Sequence, residues 1–139
     1  KRTMGIFDGF SGANVQLTPR VAIVATMLYL SGADGHLDDS EIGDILKVVP
    51  DRQALETALQ YVKRHGFQQF LEESGRMLSP QQKMCAILNA TDLALGDGHF
   101  APSEQQMLQQ MAGVWQIPDQ YLGPYVQALM VKNNLSVFG

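Results

Sequence analysis

Apolar residues recur along this chain at intervals of three and four, and no stretch alternates strictly between apolar and polar. That periodicity predicts helices throughout. The first runs from Thr18-Pro19, a capping hydroxyl followed by a first-turn proline, to Ser31. It is apolar nearly all round (Val21, Ile23, Val24, Met27, Leu28, Leu30), as a helix buried on most sides must be. Gly32 and Gly35 end it. Asp38 and Glu41 then fit a capping box ahead of the stripe Ile42, Ile45, Leu46 and Val49, and Pro50 closes that helix. Leu55, Ala58, Leu59 and Val62 mark a third helix over 51–64. Phe67, Phe70 and Leu71 mark a short fourth.

Ser79-Pro80 opens a second long apolar helix that ends at Gly96-Asp97-Gly98. Pro102 starts the next, which buries Met107, Leu108, Met111 and Trp115. Pro118 starts a last helix with Tyr121, Leu122, Tyr125, Leu129 and Met130. The expected fold is all-α. Residues 1–16, rich in glycine with Phe7 and Phe10 as isolated anchors, read as an arm or short helix. Residues 17–139 read as the helical domain.

The domain is expected to consist of two pseudo-repeated halves, over about 18–50 and 79–115, because one loop pattern occurs twice. Asp34-Gly35-His36-Leu37-Asp38-Asp39-Ser40-Glu41 and Asp97-Gly98-His99-Phe100-Ala101-Pro102-Ser103-Glu104 share Asp-Gly-His, an apolar residue, two variable positions and Ser-Glu. The loops lie 63 residues apart but the Ser/Thr-Pro starts only 61, so the second long helix should be longer by two residues.

Charge narrows the function. The net charge is −4, and nine of the ten Lys and Arg lie at or before Lys83, with none between Met84 and Val131. No basic stripe is available to neutralise phosphates, which argues against nucleic acid as a partner. The longest apolar run, Val21 to Leu30, is too short to span a bilayer. One cysteine, Cys85, excludes an internal disulfide and reads as helix packing. With no secretory signal visible, a cytoplasmic location is expected.

The repeated loops carry the candidate chemistry. Asp-Gly after a helix is a favoured turn, and Asp38, Glu41 and Glu104 have ready roles at helix starts. Asp34 and Asp97 are different, because a carboxylate at a helix C-terminus opposes the macrodipole. Each must accept loop amides or face a cation. Asp34, Gly35, Leu37 and Glu41 have the spacing of the second half of an EF-hand loop, as do Asp97, Gly98, Phe100 and Glu104. The first half is absent: Leu30 and Gly32, or Leu93 and Leu95, stand where oxygen ligands belong. His36 and His99 move the choice toward zinc, since imidazole favours transition metals over calcium. The candidate cation ligands are therefore Asp34, His36, Glu41, Asp97, His99 and Glu104, for a divalent ion such as calcium or zinc. Asp38, Asp39 and Asp44 strengthen the first loop, whereas Ala101 and Pro102 weaken the second. No positioned nucleophile and no glycine-rich phosphate loop accompany these groups, so an enzyme is not expected.

These motifs give the chain a likeness. It resembles the TerB-like family, the helical domain associated with bacterial tellurite resistance and attached to some membrane-anchored DnaJ-type co-chaperones. The likeness rests on Ala33-Asp34-Gly35…Glu41, Gly96-Asp97-Gly98…Glu104, and Trp115-Gln116-Ile117-Pro118 followed by a helix with Tyr121. Met4-Gly5-Ile6-Phe7-Asp8 is similar to the start of family members. The resemblance implies a compact bundle of about six to seven helices in two pseudo-symmetric halves. It also implies a non-enzymatic protein that binds metal through Asp34, Glu41, Asp97 and Glu104 and acts with other proteins of a stress-response system. A pure protein-interaction or co-chaperone-type adaptor, its acidic loops serving as helix caps, fits the same residues.

Overall fold

The computed structural model describes residues 15–32, 37–96 and 98–139. Among them are seven α-helices: α1 (Pro19–Ser31), α2 (Asp39–Val48), α3 (Arg52–Arg64), α4 (Phe67–Met77), α5 (Pro80–Ala94), α6 (Pro102–Val114) and α7 (Asp119–Asn133). A single 3-10 turn, Leu135–Phe138, follows. The arm over residues 1–16 lies outside the described residues apart from Val15 and Gln16.

Helix α1 is the centre of the bundle. It packs mainly on α3 and α5 and also touches α2, α4 and α6. Its near-continuous apolar surface is what that position demands: Ala22, Val24, Ala25, Met27 and Leu30 are fully buried. Thr26 is buried too, and its hydroxyl donates to the Ala22 carbonyl one turn back (2.7 Å), so no polar group is stranded. Thr91 of α5 does the same toward Ile87 (2.6 Å).

The helix starts follow their local chemistry. Thr18 Oγ1 accepts from the Val21 amide, and Ser79 with Gln82 completes a reciprocal box. Asp38 and Glu41 form the expected box, each carboxylate accepting the other's backbone amide at 2.9 Å. Helices α1 and α5 have 13 and 15 residues, so the two-residue offset lies in the second long helix. Crosswise packing of α1 on α6 and of α2 on α5 relates the two halves.

Two expectations need correction, and α7 adds a finding of its own. The helix over Phe67 is not short; its 11 residues reach Met77, buried through Phe70, Leu71 and Ser74. Cys85 is exposed on the outer side of α5 rather than packed. In α7 only Leu122 is buried, while Tyr121 and Tyr125 are 61% and 53% exposed.

Trp115 locks α6 onto α4. Its indole N–H donates to the Leu71 carbonyl (3.2 Å) and to Ser74 Oγ (3.1 Å), and its ring rests against Gly75, where a Cβ would come within 3.3 Å. Behind it, α6 ends in a Schellman motif: Ile117 N–H donates to the Ala112 carbonyl (2.8 Å) and Gln116 N–H to the Gly113 carbonyl (3.3 Å). The left-handed position of that motif usually holds glycine; here Gln116 takes it at φ 59°.

Candidate functional site

The start of α2 and the entry to α6 meet across a cleft of about 490 Å³. Glu41 and Asp44 reach it from α2, and His99, Phe100 and Glu104 from the second loop and α6. Leu93 and Ala94, at the end of α5, line it as well. Among the described residues no lysine or arginine lines this cleft, and three carboxylates do.

Helix geometry explains why the two glutamates converge. Each is the third residue of its helix and folds back over the helix start. Glu41 Oε1 accepts the Asp38 amide at 2.9 Å, and Glu104 Oε1 accepts the Ala101 amide at 2.8 Å. The match is incomplete, because Ala101 has no side chain to return the bond and only the glutamate half of the box exists at α6. Capping leaves Oε2 of each glutamate without a hydrogen-bond partner among the described residues. Asp44 adds a third carboxylate, paired at 3.6 Å with Lys47 on its own helix.

Of the six candidate ligands, Glu41, His99 and Glu104 lie at this one cleft. Asp34, His36 and Asp97 lie outside the described residues. The described residues alone bring no three His, Cys, Asp or Glu side chains close enough to hold a metal ion. Asp38 is spent on capping and Asp39 is exposed, so Asp44 is the member of that acidic group that reaches the cleft. The chain's remaining histidine, His65, caps α3, its Nδ1 donating to the Tyr61 carbonyl at 2.9 Å.

The donor chemistry favours a hard cation. Carboxylate oxygens outnumber imidazole here, which suits calcium, magnesium or manganese better than zinc. With Oε1 engaged by an amide, each glutamate offers one oxygen outward. The bidentate glutamate of an EF-hand is thus disfavoured at both loops.

Sequence reasoning missed what braces the second loop. Gly98 is buried with φ +88°, and a Cβ there would stand 3.1 Å from Asn134 Cα. Beside it, Asp92 on α5 receives Lys132 Nζ at 3.2 Å and Asn133 Nδ2 at 2.7 Å. The C-terminal end of α7 therefore presses the loop into place. A lone lysine after 48 residues without lysine or arginine was the available signal, but its partner is 40 residues away. Gly98→Ala is expected to cost about 1–3 kcal/mol through backbone strain and this contact. Gly96→Ala, whose Cβ would meet nothing nearer than 3.6 Å, should change little. Thermal melts followed by circular dichroism compare the two.

A profile of the family described as tellurite resistance protein TerB matches residues 20–123. The chain belongs to the TerB family. No curated protein and no solved structure matches it. The TerB match runs from α1 into α7 and takes in both repeated loops, the cleft and the Trp115–Tyr121 segment. No helix among the described residues is long and apolar enough to cross a membrane.

Proposed function

We propose that this TerB-family chain is a non-enzymatic, cytoplasmic protein of a bacterial tellurite or metal-stress response that binds a divalent cation and acts through protein partners. The observation that carries this reading is the convergence of Glu41, Asp44, His99 and Glu104 on one cleft with no lysine or arginine among its described lining residues. Three carboxylates lining one cleft offer hard oxygen donors to a divalent cation. Asp34, His36 and Asp97 are the further ligands, from the loops that lead into α2 and α6.

A saturable rise in melting temperature on titrating chelator-stripped protein with calcium, magnesium, manganese or zinc is expected. An ion that binds only the native state adds about 2.7 kcal/mol at a hundred times its Kd. Asp34→Ala, Asp97→Ala and Asp44→Asn should each blunt the rise. Asp44→Asn is the most telling, because Asp44 caps no helix and its loss should leave metal-free stability nearly unchanged.

The adaptor reading has its own support in the amide bonds that Glu41 and Glu104 already make. It predicts no shift with any ion to millimolar concentration, and a cost of about 0.5–2 kcal/mol for Glu41→Ala with or without metal.

A further inference from the structure

On the side of the bundle that carries the Trp115-to-Tyr121 segment, a groove of about 460 Å³ lies between α5 and the first half of α7. We propose that this groove is a docking site for a short, extended segment of a partner protein, apolar at alternate positions and carrying an acidic side chain. The proposal locates the partner-binding half of the function above and does not depend on the cation half.

The floor is apolar and rigid. Trp115, 2% exposed, is held from behind by its bonds to Leu71 and Ser74, so its ring has no polar demand left to satisfy in the groove. Met84 and Ile117 flank it, and methionine adapts to varied side chains. Tyr121 and Tyr125 form the rim, one helical turn apart and more than half exposed. That turn advances about 6 Å. Alternate side chains of an extended chain repeat at about 6.5 Å on one face, so two of them match the two rings. Tyrosine supplies contact area at small entropic cost, which is why it is enriched at interfaces.

The polar groups are unspent. Lys83 Nζ, the Gln116 amide and the hydroxyls of Tyr121 and Tyr125 have no side-chain partner among the described residues, yet all four residues line the groove. These donors suit the carbonyls of a strand-like peptide, which cannot pair within itself. Lys83 is the one charged residue among the described residues of the lining, so complementarity calls for a carboxylate on the occupant. Gln116 adds an independent sign. It occupies a left-handed position that glycine would fill at lower cost, and its side chain lies at the groove.

A phage-displayed library of random short peptides, selected on the whole protein and counter-selected on a Tyr121→Ser/Tyr125→Ser variant, tests this. Enriched sequences should combine an acidic residue with apolar residues at alternate positions. Because Trp115 is the only tryptophan, its fluorescence reports binding of synthetic, tryptophan-free copies. Lys83→Glu should weaken them about tenfold or more, or about 1.4 kcal/mol. Gln116→Gly should weaken them without lowering the melting temperature. Any of three results overturns the proposal: no enrichment over the tyrosine-less variant, equal affinity for Lys83→Glu, or octanoate binding as tightly as the peptides, which would mark a small-carboxylate site. Self-association of the free protein that Tyr125→Ser abolishes would also overturn it, by assigning the groove to a second copy. Cation titrations read a different cleft, so either reading can fail alone.

Discussion

Trp115→Ala is expected to destabilise the fold by about 3–5 kcal/mol, the largest single-residue effect anticipated in this bundle. The indole is 2% exposed and bridges α6 to α4, so its removal leaves a cavity between helices that are distant in sequence. Gly75, which makes room for the ring, has no side chain that can swing in to fill the space. Two acceptors also lose a donor, Leu71 O and Ser74 Oγ, although Ser74 keeps its own bond to the Phe70 carbonyl at 2.7 Å. At this length the loss corresponds to a fall in melting temperature of roughly 10–17 °C. Trp115→Phe separates the two contributions. It keeps most of the apolar contact and loses the N–H, so it should cost about 1–3 kcal/mol. Urea unfolding followed by circular dichroism measures both variants, and equal costs would show that the hydrogen bonds, not the ring volume, hold α6 to α4.

Trp115 also marks how far the sequence could be read. Its burial followed from helical spacing with Leu108 and Met111, as did every helix start that carries Ser, Thr, Asp or Pro. These are local effects, settled within one turn of chain. The length of α4 was not legible, because Phe70 and Leu71 announce its beginning but Ser74 and Gly75, which carry it past Trp115, look like breakers. Ser74 is helical because its hydroxyl bonds inward and Trp115 completes it. The exposure of α7 was hidden for the opposite reason. Tyr121 and Tyr125 sit at core-like spacing, yet nothing in the bundle covers that face among the described residues. At the cleft, the sequence supplied the ligand types but not their convergence. Glu41 and Glu104 lie 63 residues apart, and only crosswise packing of α1 with α6 and α2 with α5 places them together.

Alkaline pH should destabilise this protein through two tyrosines, Tyr29 and Tyr61. Tyr61 of α3 is buried, with its hydroxyl donating to Glu73, its ring stacked on His65 at 4.0 Å and edge-on to Phe70 at 5.9 Å. Tyr29 of α1 packs between Phe67 and Phe70 and donates to the His65 carbonyl at 2.6 Å. Burial, followed by the nearby Glu73 charge, pushes the Tyr29 phenol up to about 12. Burial also pushes Tyr61 upward, and its hydrogen bond to Glu73 and that carboxylate's charge push the same way. Both shifts favour the protonated folded state. Below about pH 10, where an unfolded tyrosine is still protonated, they leave stability untouched. Above it the unfolded chain releases protons that the folded chain retains, so stability falls until the folded phenols also ionise. One such tyrosine can cost at most about 1.4 kcal/mol for each pH unit in that window, and solvent reaching the Tyr61 hydroxyl makes its cost smaller than that limit. Tyr29 is only half-buried, and solvent screening makes its share smaller. Tyr61→Phe removes the larger share, so urea midpoints measured between pH 9 and pH 12 should fall about half as steeply or less in that variant. Its stability at neutral pH should drop by about 1 kcal/mol for the lost bond, which Glu73 replaces in part with water. If wild type and variant fall in parallel, the alkaline transition belongs to other groups, and the aromatic cluster under α1 has no part in it.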